Sequence, residues 1–229
     1  MNAGPRGWFI AGTDTGVGKT TVATVLLAGL TRRGYRAAGM KPVASGCRQT
    51  DDGLRSEDAE KLMAASAVES DYTDVNPYAF EPAIAPHVAA KRAGVDMQLD
   101  TVRAHYRRLA AQADWLVVEG AGGWYVPLNS THFMSDVARA LGLPVIIVVG
   151  LRLGCISHAL LTTAAIRADG LPLAGWVGNR VDVSFDTAAE SVATLEERLD
   201  ARCIGIMPNV PNGETTVMSE ELLDRLLAS

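Results

Sequence analysis

The residues best suited to chemistry form a glycine-rich run that ends in lysine and threonine, Gly12-Thr-Asp-Thr-Gly-Val-Gly-Lys-Thr20. The run lies between a short apolar segment and an amphipathic pattern, as a turn between a strand and a helix would. Such a turn points successive backbone N–H groups inward, and the helix N-terminus adds partial positive charge, so the turn suits phosphate. Lys19 is placed to reach the β- and γ-phosphates of a nucleotide, and the Thr20 hydroxyl to ligate Mg²⁺.

This run departs from the strict P-loop pattern at one position. The pattern requires glycine five residues before Gly18, where this chain has Thr13, with Gly12 one place earlier. The strand and helix on either side still predict a variant P-loop rather than a turn without nucleotide. Its candidate nucleotide-binding residues are Gly16, Val17, Gly18, Lys19, Thr20 and Thr21.

A second signal is an acidic residue, Glu119, which ends another apolar run and is followed by Gly120-Ala-Gly-Gly123. Nucleotide-binding folds place a Mg²⁺ ligand at such a strand end beside the P-loop. The glycines let the backbone approach a phosphate or a substrate closely. We therefore predict Glu119 as a Mg²⁺ ligand, and we predict nucleotide contacts at Gly120, Ala121 and Gly122.

A third signal is Lys41, which opens the run Lys41-Pro-Val-Ala-Ser-Gly46 after another short strand pattern. Two lysines that converge on a transferring phosphoryl group would offset its developing charge, so Lys41 is a candidate partner of Lys19. A solvated loop lysine is the alternative. Asp58, near the start of a helical pattern, is a candidate Mg²⁺ ligand or an ordinary helix-terminal acid.

Three more segments are candidate binding sites. Asn179 and Arg180 follow a strand pattern, and an Asn side chain there can pair a donor and an acceptor with an adenine edge. The turn Pro208-Asn209-Val210 could pack against the same ring, although both segments could also be ordinary turns. A helix begins in a further segment, where free N–H groups make a ready carboxylate site. This segment consists of Gly154, Cys155, Ile156 and Ser157.

The elements that must position these residues are short β-branched runs alternating with helical patterns. Strands are predicted at 8–11, 36–40, 115–118, 145–149, 173–177 and 203–206. Helices are predicted at 19–33, 58–66, 98–112, 157–169, 187–199 and 219–227. Apolar strands flanked by helices predict a single-domain α/β fold of the P-loop NTPase type, whose parallel sheet is covered by helices on both faces. Ligands bind at the carboxyl edge of such sheets. The proline-rich stretch 76–86 is predicted to be a surface loop.

Composition and charge exclude several classes of protein. The 229 residues fit one domain spanning 1–229, and the net charge of -5 argues against non-specific nucleic-acid binding, which needs a basic face. No run is long and apolar enough to predict a membrane span or an export signal. Three scattered cysteines favour free thiols in a reducing cytosol, so a cytoplasmic protein is expected.

Six segments together resemble the dethiobiotin synthase family, in order and over nearly the whole chain. They are GTDTGVGKT at 12–20, KPVASG at 41–46, VNPYAF at 75–80, VEGAGGW at 118–124, PVIIVVGLRLGCISHALLT at 144–162 and LAGWVGN at 173–179. The family has the same variant P-loop. The resemblance implies an enzyme that converts 7,8-diaminononanoate, CO₂ and ATP to dethiobiotin, ADP and phosphate in biotin synthesis. One amine captures CO₂ as a carbamate, the carbamate takes the γ-phosphoryl group, and the second amine displaces phosphate.

The same resemblance implies roles for individual residues. Lys19 and Lys41 would bind the γ-phosphate and the carbamate, and Thr15 and Ser45 would contact the carbamate end of the substrate. Adenine would be held by Asn179 and the 208–210 turn. The implied Mg²⁺ ligands are Thr20, Asp58 and Glu119.

The resemblance also implies a homodimer whose diamine site lies at the subunit interface. The helix start at 154–157 would then bind the substrate carboxylate of the neighbouring protomer, with Ser157 where many relatives have Asn. Beyond Pro211 the match is poor, and a ribose contact from Glu214 is only suggested. No nucleic-acid or membrane partner is implied.

Two other classes of protein remain as alternatives. Cobyrinate-type amidotransferases usually add a glutaminase domain with a nucleophilic Cys, for which this chain has no room. A MinD/ParA-like ATPase switch favours a second lysine inside the P-loop, which is absent from Thr13 to Val17. Such switches also often have a basic or amphipathic membrane end, whereas the tail 219–229 here is short and acidic.

Overall fold

The computed structural model describes residues 6–209 and 216–228, and over these it forms an α/β structure. The strands are β1 (Arg6–Gly12), β2 (Ala37–Met40), β3 (Val43–Ser45), β4 (Arg48–Thr50), β5 (Gly53–Arg55), β6 (Tyr78–Phe80), β7 (Trp115–Glu119), β8 (Val145–Gly150), β9 (Leu173–Asn179) and β10 (Cys203–Met207). The helices are α1 (Lys19–Arg32), α2 (Glu57–Ala65), α3 (Tyr72–Val75), α4 (Pro86–Ala93), α5 (Leu99–Ala110), α6 (Met134–Leu141), α7 (Cys155–Ala168), α8 (Ala188–Arg198) and α9 (Thr216–Leu227).

Six strands form the central sheet, in the order β10-β9-β8-β1-β7-β2. All of the neighbouring pairs are parallel. β1 lies in the interior between β8 and β7, so the turn that follows β1 emerges between the carboxyl ends of both neighbours. The predicted single-domain α/β fold with a parallel sheet is therefore confirmed. Its carboxyl edge is the place to look for a ligand site.

Alternating side chains of β1 pack on opposite faces of the sheet, as the two-residue period of a strand requires. Trp8 and Ile10 belong to a core that includes the apolar faces of α1 and α9, whereas Phe9 and Ala11 belong to the core under α5 to α8. This double burial explains why the strand reads as one continuous apolar run. Helices cover both faces of the sheet, as predicted.

Among the described residues, the stretch 76–86 differs from its prediction as a surface loop. It does not simply cross the surface as a loop, because it contains β6, which pairs in parallel with β3, and it ends where α4 begins at Pro86. Phe80 is 4% exposed and Asn76 is 3% exposed, so the stretch contributes to the interior. Its strand is only three residues long, which is too short for a periodic signal in the sequence.

Among the helices in the described ranges 6–209 and 216–228, none has both the length and the apolar character needed to cross a membrane.

Candidate active site

The P-loop begins where β1 ends and closes at the first turn of α1. Gly18 caps α1 with a φ of 91°, in the left-handed region that favours glycine, and no side chain caps this helix N-terminus. A Cβ atom added at Gly18 would lie 1.9 Å from Asn179 Nδ2, and one added at Gly12 would lie 2.8 Å from Lys19 Nζ. Glycine at these two positions therefore lets the turn pack against β9 and leaves room for the lysine.

Lys19 is buried and is held by carbonyl groups alone. Its Nζ donates to the backbone oxygen of Asp14 at 3.0 Å and to that of Gly122 at 2.8 Å. Burial, reinforced by the charge of Lys41, lowers the pKa of Lys19 to about 8. Carbonyl oxygens orient the ammonium group without neutralising it, and no carboxylate bonds to it directly, so a phosphate would be its first directly bonded anion.

Lys41 is also buried, with 4% of its surface exposed, so the alternative of a solvated loop lysine is wrong. Its Nζ donates to Glu119 Oε1 at 2.5 Å and to Asp58 Oδ2 at 2.8 Å. Burial opposes the charge on Lys41, but the attraction of these two carboxylates outweighs it and raises the pKa of Lys41. Lys41 therefore carries its charge throughout the working pH range.

The three predicted Mg²⁺ ligands meet around this lysine. Thr20 donates its hydroxyl to Glu119 Oε1 at 2.9 Å, and Asp58 reaches the same network through Lys41. Glu119 Oε2 is buried and has no hydrogen-bond partner among the described residues. An unpaired buried carboxylate oxygen is costly, so this atom points to a missing ligand.

These residues fit Mg²⁺, which prefers oxygen ligands and keeps several waters beside substrate phosphates. The described residues contain no group of three or more His, Cys, Asp or Glu side chains suited to a metal ion. The contribution of this chain would therefore be two carboxylates and one hydroxyl, with water and phosphate oxygens completing the shell.

Both lysines and both carboxylates face one cavity of about 770 Å³. Its walls also include Thr15, Gly16 and Thr21 of the P-loop region, Ser45 of β3, and Ala121 and Gly122 after β7. The sequence did not reveal the remaining walls. These are Ala44, Lys61, the segment from Ala83 to Pro86, Val126 and Pro127. For the segment before α4, the proline at the first helical position, Pro86, is a sequence signal that could have predicted the start of a helix.

The predicted base-binding residues lie beside the P-loop rather than in this cavity. Asn179 is 8% exposed and donates Nδ2 to the carbonyl of Val17 at 3.0 Å, so part of its amide already supports the P-loop. Arg180, Pro208 and Asn209 are exposed at the neighbouring ends of β9 and β10. Val210 and Glu214 lie outside the described residues.

The helix start at 154–157 does not line the cavity either. Gly154 caps α7 with a φ of 92° and without a side-chain cap, and Gly154 and Ser157 are exposed while Cys155 is buried. Just before it, Arg152 donates to Asp14 Oδ2 at 2.6 Å and so ties this segment to the P-loop. No sequence pattern indicated this ion pair, because the two residues are far apart in the chain.

Comparison with known proteins places this geometry in a class. A family model described as an AAA domain matches residues 6–215. Among solved structures, the MinD cell division protein of Aquifex aeolicus covers 98% of both chains with a TM-score of 0.62 at 16% identity. The cobyrinic acid a,c-diamide synthase of Mycobacterium smegmatis, with bound ADP and magnesium, covers 97% of this chain and 94% of its own with a TM-score of 0.60 at 18% identity. At these identities the likeness concerns the fold alone.

The fold and the site together therefore define a P-loop nucleotide-binding protein with an AAA-type domain. Sequence relatives narrow this class. The ATP-dependent dethiobiotin synthetase BioD of Chromohalobacter salexigens is 53% identical over 212 residues, which cover 89% of this chain and 90% of that protein. The corresponding protein of Cellvibrio japonicus is 48% identical over 217 residues, 95% of each chain. The chain belongs to the ATP-dependent dethiobiotin synthetase family and is a ligase.

Proposed function

We propose that this ligase joins CO₂ to 7,8-diaminononanoate and closes the ureido ring of dethiobiotin, a step of biotin synthesis, at the cavity between the P-loop and β3. One observation carries the proposal. Lys19 from the P-loop and Lys41 from the end of β2 reach the same cavity as the oxygen ligands Thr20, Asp58 and Glu119. Such an arrangement suits transfer of a phosphoryl group, which needs positioning and charge stabilisation more than a protein nucleophile.

The reaction then runs in three steps. One amine of the diamine attacks CO₂, so a C–N bond forms, a proton leaves, and a carbamate results. A carbamate oxygen attacks the γ-phosphorus of ATP, the bond to the β-phosphate oxygen breaks, and ADP leaves. The second amine attacks the carbonyl carbon of this carbamic-phosphoric anhydride, the C–O bond to phosphate breaks, and the ring closes with loss of a proton.

Lys19 and Lys41 are assigned to the charge that develops on the transferring group. Lys19 would turn from the carbonyls of Asp14 and Gly122 to the β- and γ-phosphates, which offer it a full counter-charge. Lys41 would bind the γ-phosphate and the carbamate oxygen from the opposite wall. Thr15 and Ser45 line the same cavity and are assigned to the carbamate end of the substrate.

Thr20, Asp58 and Glu119 are assigned to Mg²⁺, with the unpaired Oε2 of Glu119 as the strongest support. When bound, Mg²⁺ neutralises charge on the β- and γ-phosphate oxygens. The P-loop backbone from Gly16 to Thr21, with Gly120, Ala121 and Gly122 after β7, would enclose the phosphates. Asn179, Arg180 and the 208–210 turn are assigned to the adenine base, beside the P-loop.

The diamine site is proposed to be completed by a second copy of the chain, in a homodimer. The N-terminus of α7, at Gly154, Cys155, Ile156 and Ser157, lies outside the cavity of its own chain and has no side-chain cap. The backbone N–H of Cys155 donates to the carbonyl of Arg152 at 3.0 Å, and the remaining N–H groups of this first turn, with the helix dipole, would suit a carboxylate. Large apolar side chains next to it are exposed, Leu153 by 90% and Leu161 by 68%. The chain 1–229 would act as one dethiobiotin synthetase-like domain in the cytoplasm.

Phosphate release from Mg-ATP and bicarbonate, with and without 7,8-diaminononanoate, tests the proposal. We expect release that depends on the diamine, and a product whose mass equals that of the diamine plus CO₂ minus water. Steady release that ignores the diamine would contradict the proposal and would favour a switch-type ATPase.

A further inference from the structure

We propose that Tyr72 and Asn76 are positioning residues that set Lys41 and Asp58 at the distance and angle the reaction needs. The proposal rests on the function assigned above to Lys41 and Asp58. Neither Tyr72 nor Asn76 lines the cavity, and both act through the backbone of the segments that carry those two residues.

Asn76 holds the segment of Lys41 from behind. Its Nδ2 donates to the carbonyl of Lys41 at 2.7 Å and, more weakly, to the carbonyl of Tyr78 at 3.3 Å. Next to it, the carbonyl of Val75 accepts from the backbone N–H of Lys41 at 2.8 Å. Both backbone polar groups of Lys41 are therefore fixed by residues 75 and 76, and the side chain leaves from a clamped backbone.

Tyr72 extends this clamp to the helix of Asp58. Its hydroxyl accepts the backbone N–H of Ser56 at 2.6 Å and donates to Asn76 Oδ1 at 3.0 Å. Ser56 is the N-cap of α2, so the hydroxyl fixes the start of the helix whose first turn carries Asp58. Burial raises the pKa of Tyr72, which keeps the phenol protonated and able to donate.

Tyr72 is itself held firmly in place. The guanidinium of Arg55 lies over its ring, 4.2 Å from the centroid. The other end of α3 is pinned to α5, because Asp74 Oδ1 accepts from Arg108 at 2.9 Å and pairs with His105 Nδ1 at 2.7 Å. A rigid single turn of helix therefore presents the hydroxyl and the amide in fixed positions.

One continuous chain of hydrogen bonds thus joins the two segments from behind the site. It runs from Ser56 through Tyr72 and Asn76 to the carbonyl of Lys41, while Lys41 Nζ and Asp58 Oδ2 meet in front at 2.8 Å. Outer partners of this kind orient reacting groups, and their loss costs 10- to 100-fold in metal affinity or activity in comparable sites. We therefore expect the Mg²⁺ site and the position of the Lys41 ammonium group to depend on the hydroxyl of Tyr72.

The test compares Tyr72→Phe with Tyr78→Phe. Each substitution removes one hydroxyl, and the Tyr78 hydroxyl accepts the backbone N–H of Gln98 at 2.8 Å, away from Lys41 and Asp58. Both variants should lose a similar, small amount of thermal stability. We expect Tyr72→Phe to raise the Mg²⁺ concentration for half-maximal rate about 10-fold and to lower kcat by a similar factor. Calorimetry should show weaker Mg-ADP binding, with ADP binding in the absence of Mg²⁺ unchanged.

A double variant identifies the route of the effect. If Tyr72 acts through Asp58, adding Tyr72→Phe to Asp58→Asn should change the Mg²⁺ requirement less than about twofold, because coupled residues are not additive. Equal changes for Tyr72→Phe and Tyr78→Phe in rate and in Mg²⁺ dependence would overturn the inference. Should Tyr72→Phe fold poorly, Asn76→Ser must show the same rise in Mg²⁺ requirement, and a normal requirement would overturn the inference equally.

Failure of this inference differs from failure of the proposed function. Turnover close to wild type in both Lys41→Ala and Asp58→Asn would remove the proposed roles of the site. Inactive Lys41→Ala and Asp58→Asn, together with Tyr72→Phe that behaves like Tyr78→Phe, would leave those roles in place and remove only the positioning by Tyr72 and Asn76.

Discussion

The P-loop and the segment after β2 each bring one buried lysine to the cavity, and the two regions hold that lysine in opposite ways. Lys19 donates to two backbone carbonyls and has a lowered pKa, about 8, because of its burial and of Lys41. Lys41 donates to the carboxylates of Glu119 and Asp58 and has a raised pKa, because their attraction outweighs its burial. Lys19 forms no direct ion pair with a carboxylate, whereas Lys41 forms two.

This difference assigns different tasks to the two regions. Lys19 is ready for an anion, so nucleotide phosphate binding should depend on it directly. Lys41 is bonded to Glu119 and Asp58, the carboxylates assigned to Mg²⁺, so it would be available to the substrate if those carboxylates held the metal ion. The P-loop should therefore control binding of the nucleotide, whereas the Lys41 segment should control the chemical step.

Alanine substitution of the two lysines should separate these tasks, with the largest effect expected of any test. Lys41→Ala should lower kcat by on the order of 10²-fold or more, as for other lost transition-state donors, while the affinity for ADP, which lacks the γ-phosphate, stays near wild type. Lys19→Ala should lose that affinity. Lys91→Ala, an exposed lysine on α4, serves as the control and should leave both quantities unchanged.

The measurements are steady-state kinetics and calorimetric titration with ADP. If Lys41→Ala lost nucleotide affinity and kept its turnover at saturating ATP, the division of tasks between the two regions would be wrong.

Substitution of Asp58 examines the carboxylate side of the comparison. Asp58→Asn should raise the Mg²⁺ requirement on the order of 10-fold, since it removes a proposed ligand and one partner of Lys41. Glu57→Gln is the matched control on the same first turn of α2, where the Glu57 carboxylate pairs with Lys61 at 2.6 Å instead. Rates measured against Mg²⁺ concentration distinguish the two variants. A similar small shift in both would leave Asp58 as an ordinary helix-terminal acid.

The pKa of Lys19 predicts a proton-coupled binding step. Burial lowers the pKa of Lys19 most, and the charge of Lys41 lowers it further. The carboxylates of Glu119, Asp58 and Asp14 raise it, and the resulting pKa is about 8. Below pH 8 the free protein already carries the charge, so binding of a Mg²⁺-loaded ATP analogue should take up almost no proton at pH 7. At pH 9 most Lys19 is neutral in the free protein, and the phosphates restore its charge, so nearly one proton should be taken up.

Calorimetric titration in buffers of different ionisation enthalpy measures this proton uptake. The diamine is left out of the titration, because its own amines would exchange protons. Equal uptake at pH 7 and pH 9 would contradict the lowered pKa of Lys19. This effect is the smallest of the three predicted in this comparison, because it changes the number of protons taken up on binding and not the mechanism of the reaction.

The same two regions explain how far the sequence predicts this molecule. The P-loop follows from local signals, since its glycines, its lysine and the flanking strand and helix are contiguous in the chain. The positions of the six central strands follow from continuous apolar runs in the same way. Both kinds of signal are complete within a few residues, and the six strands and the strand–turn–helix arrangement around the P-loop are confirmed.

The Lys41 region depends on contacts that no local pattern carries. Lys41 is buried and bonded to Glu119 and Asp58, which come from β7 and α2, and its backbone carbonyl accepts from Asn76. The strand β6 is three residues long, and its partner β3 is equally short, so neither produced a readable period. A polar asparagine in a proline-rich stretch is typical of a surface loop, yet here its amide satisfies the buried carbonyl of Lys41.

A crystal structure of the protein with Mg²⁺, a non-hydrolysable ATP analogue, 7,8-diaminononanoate and bicarbonate would show whether both lysines act on the transferring phosphoryl group. We expect Lys19 Nζ and Lys41 Nζ both within hydrogen-bonding distance of the γ-phosphate, with Glu119 and Asp58 bound to the metal ion. Lys41 still paired with Glu119 and Asp58, and without contact to phosphate or carbamate, would contradict this expectation.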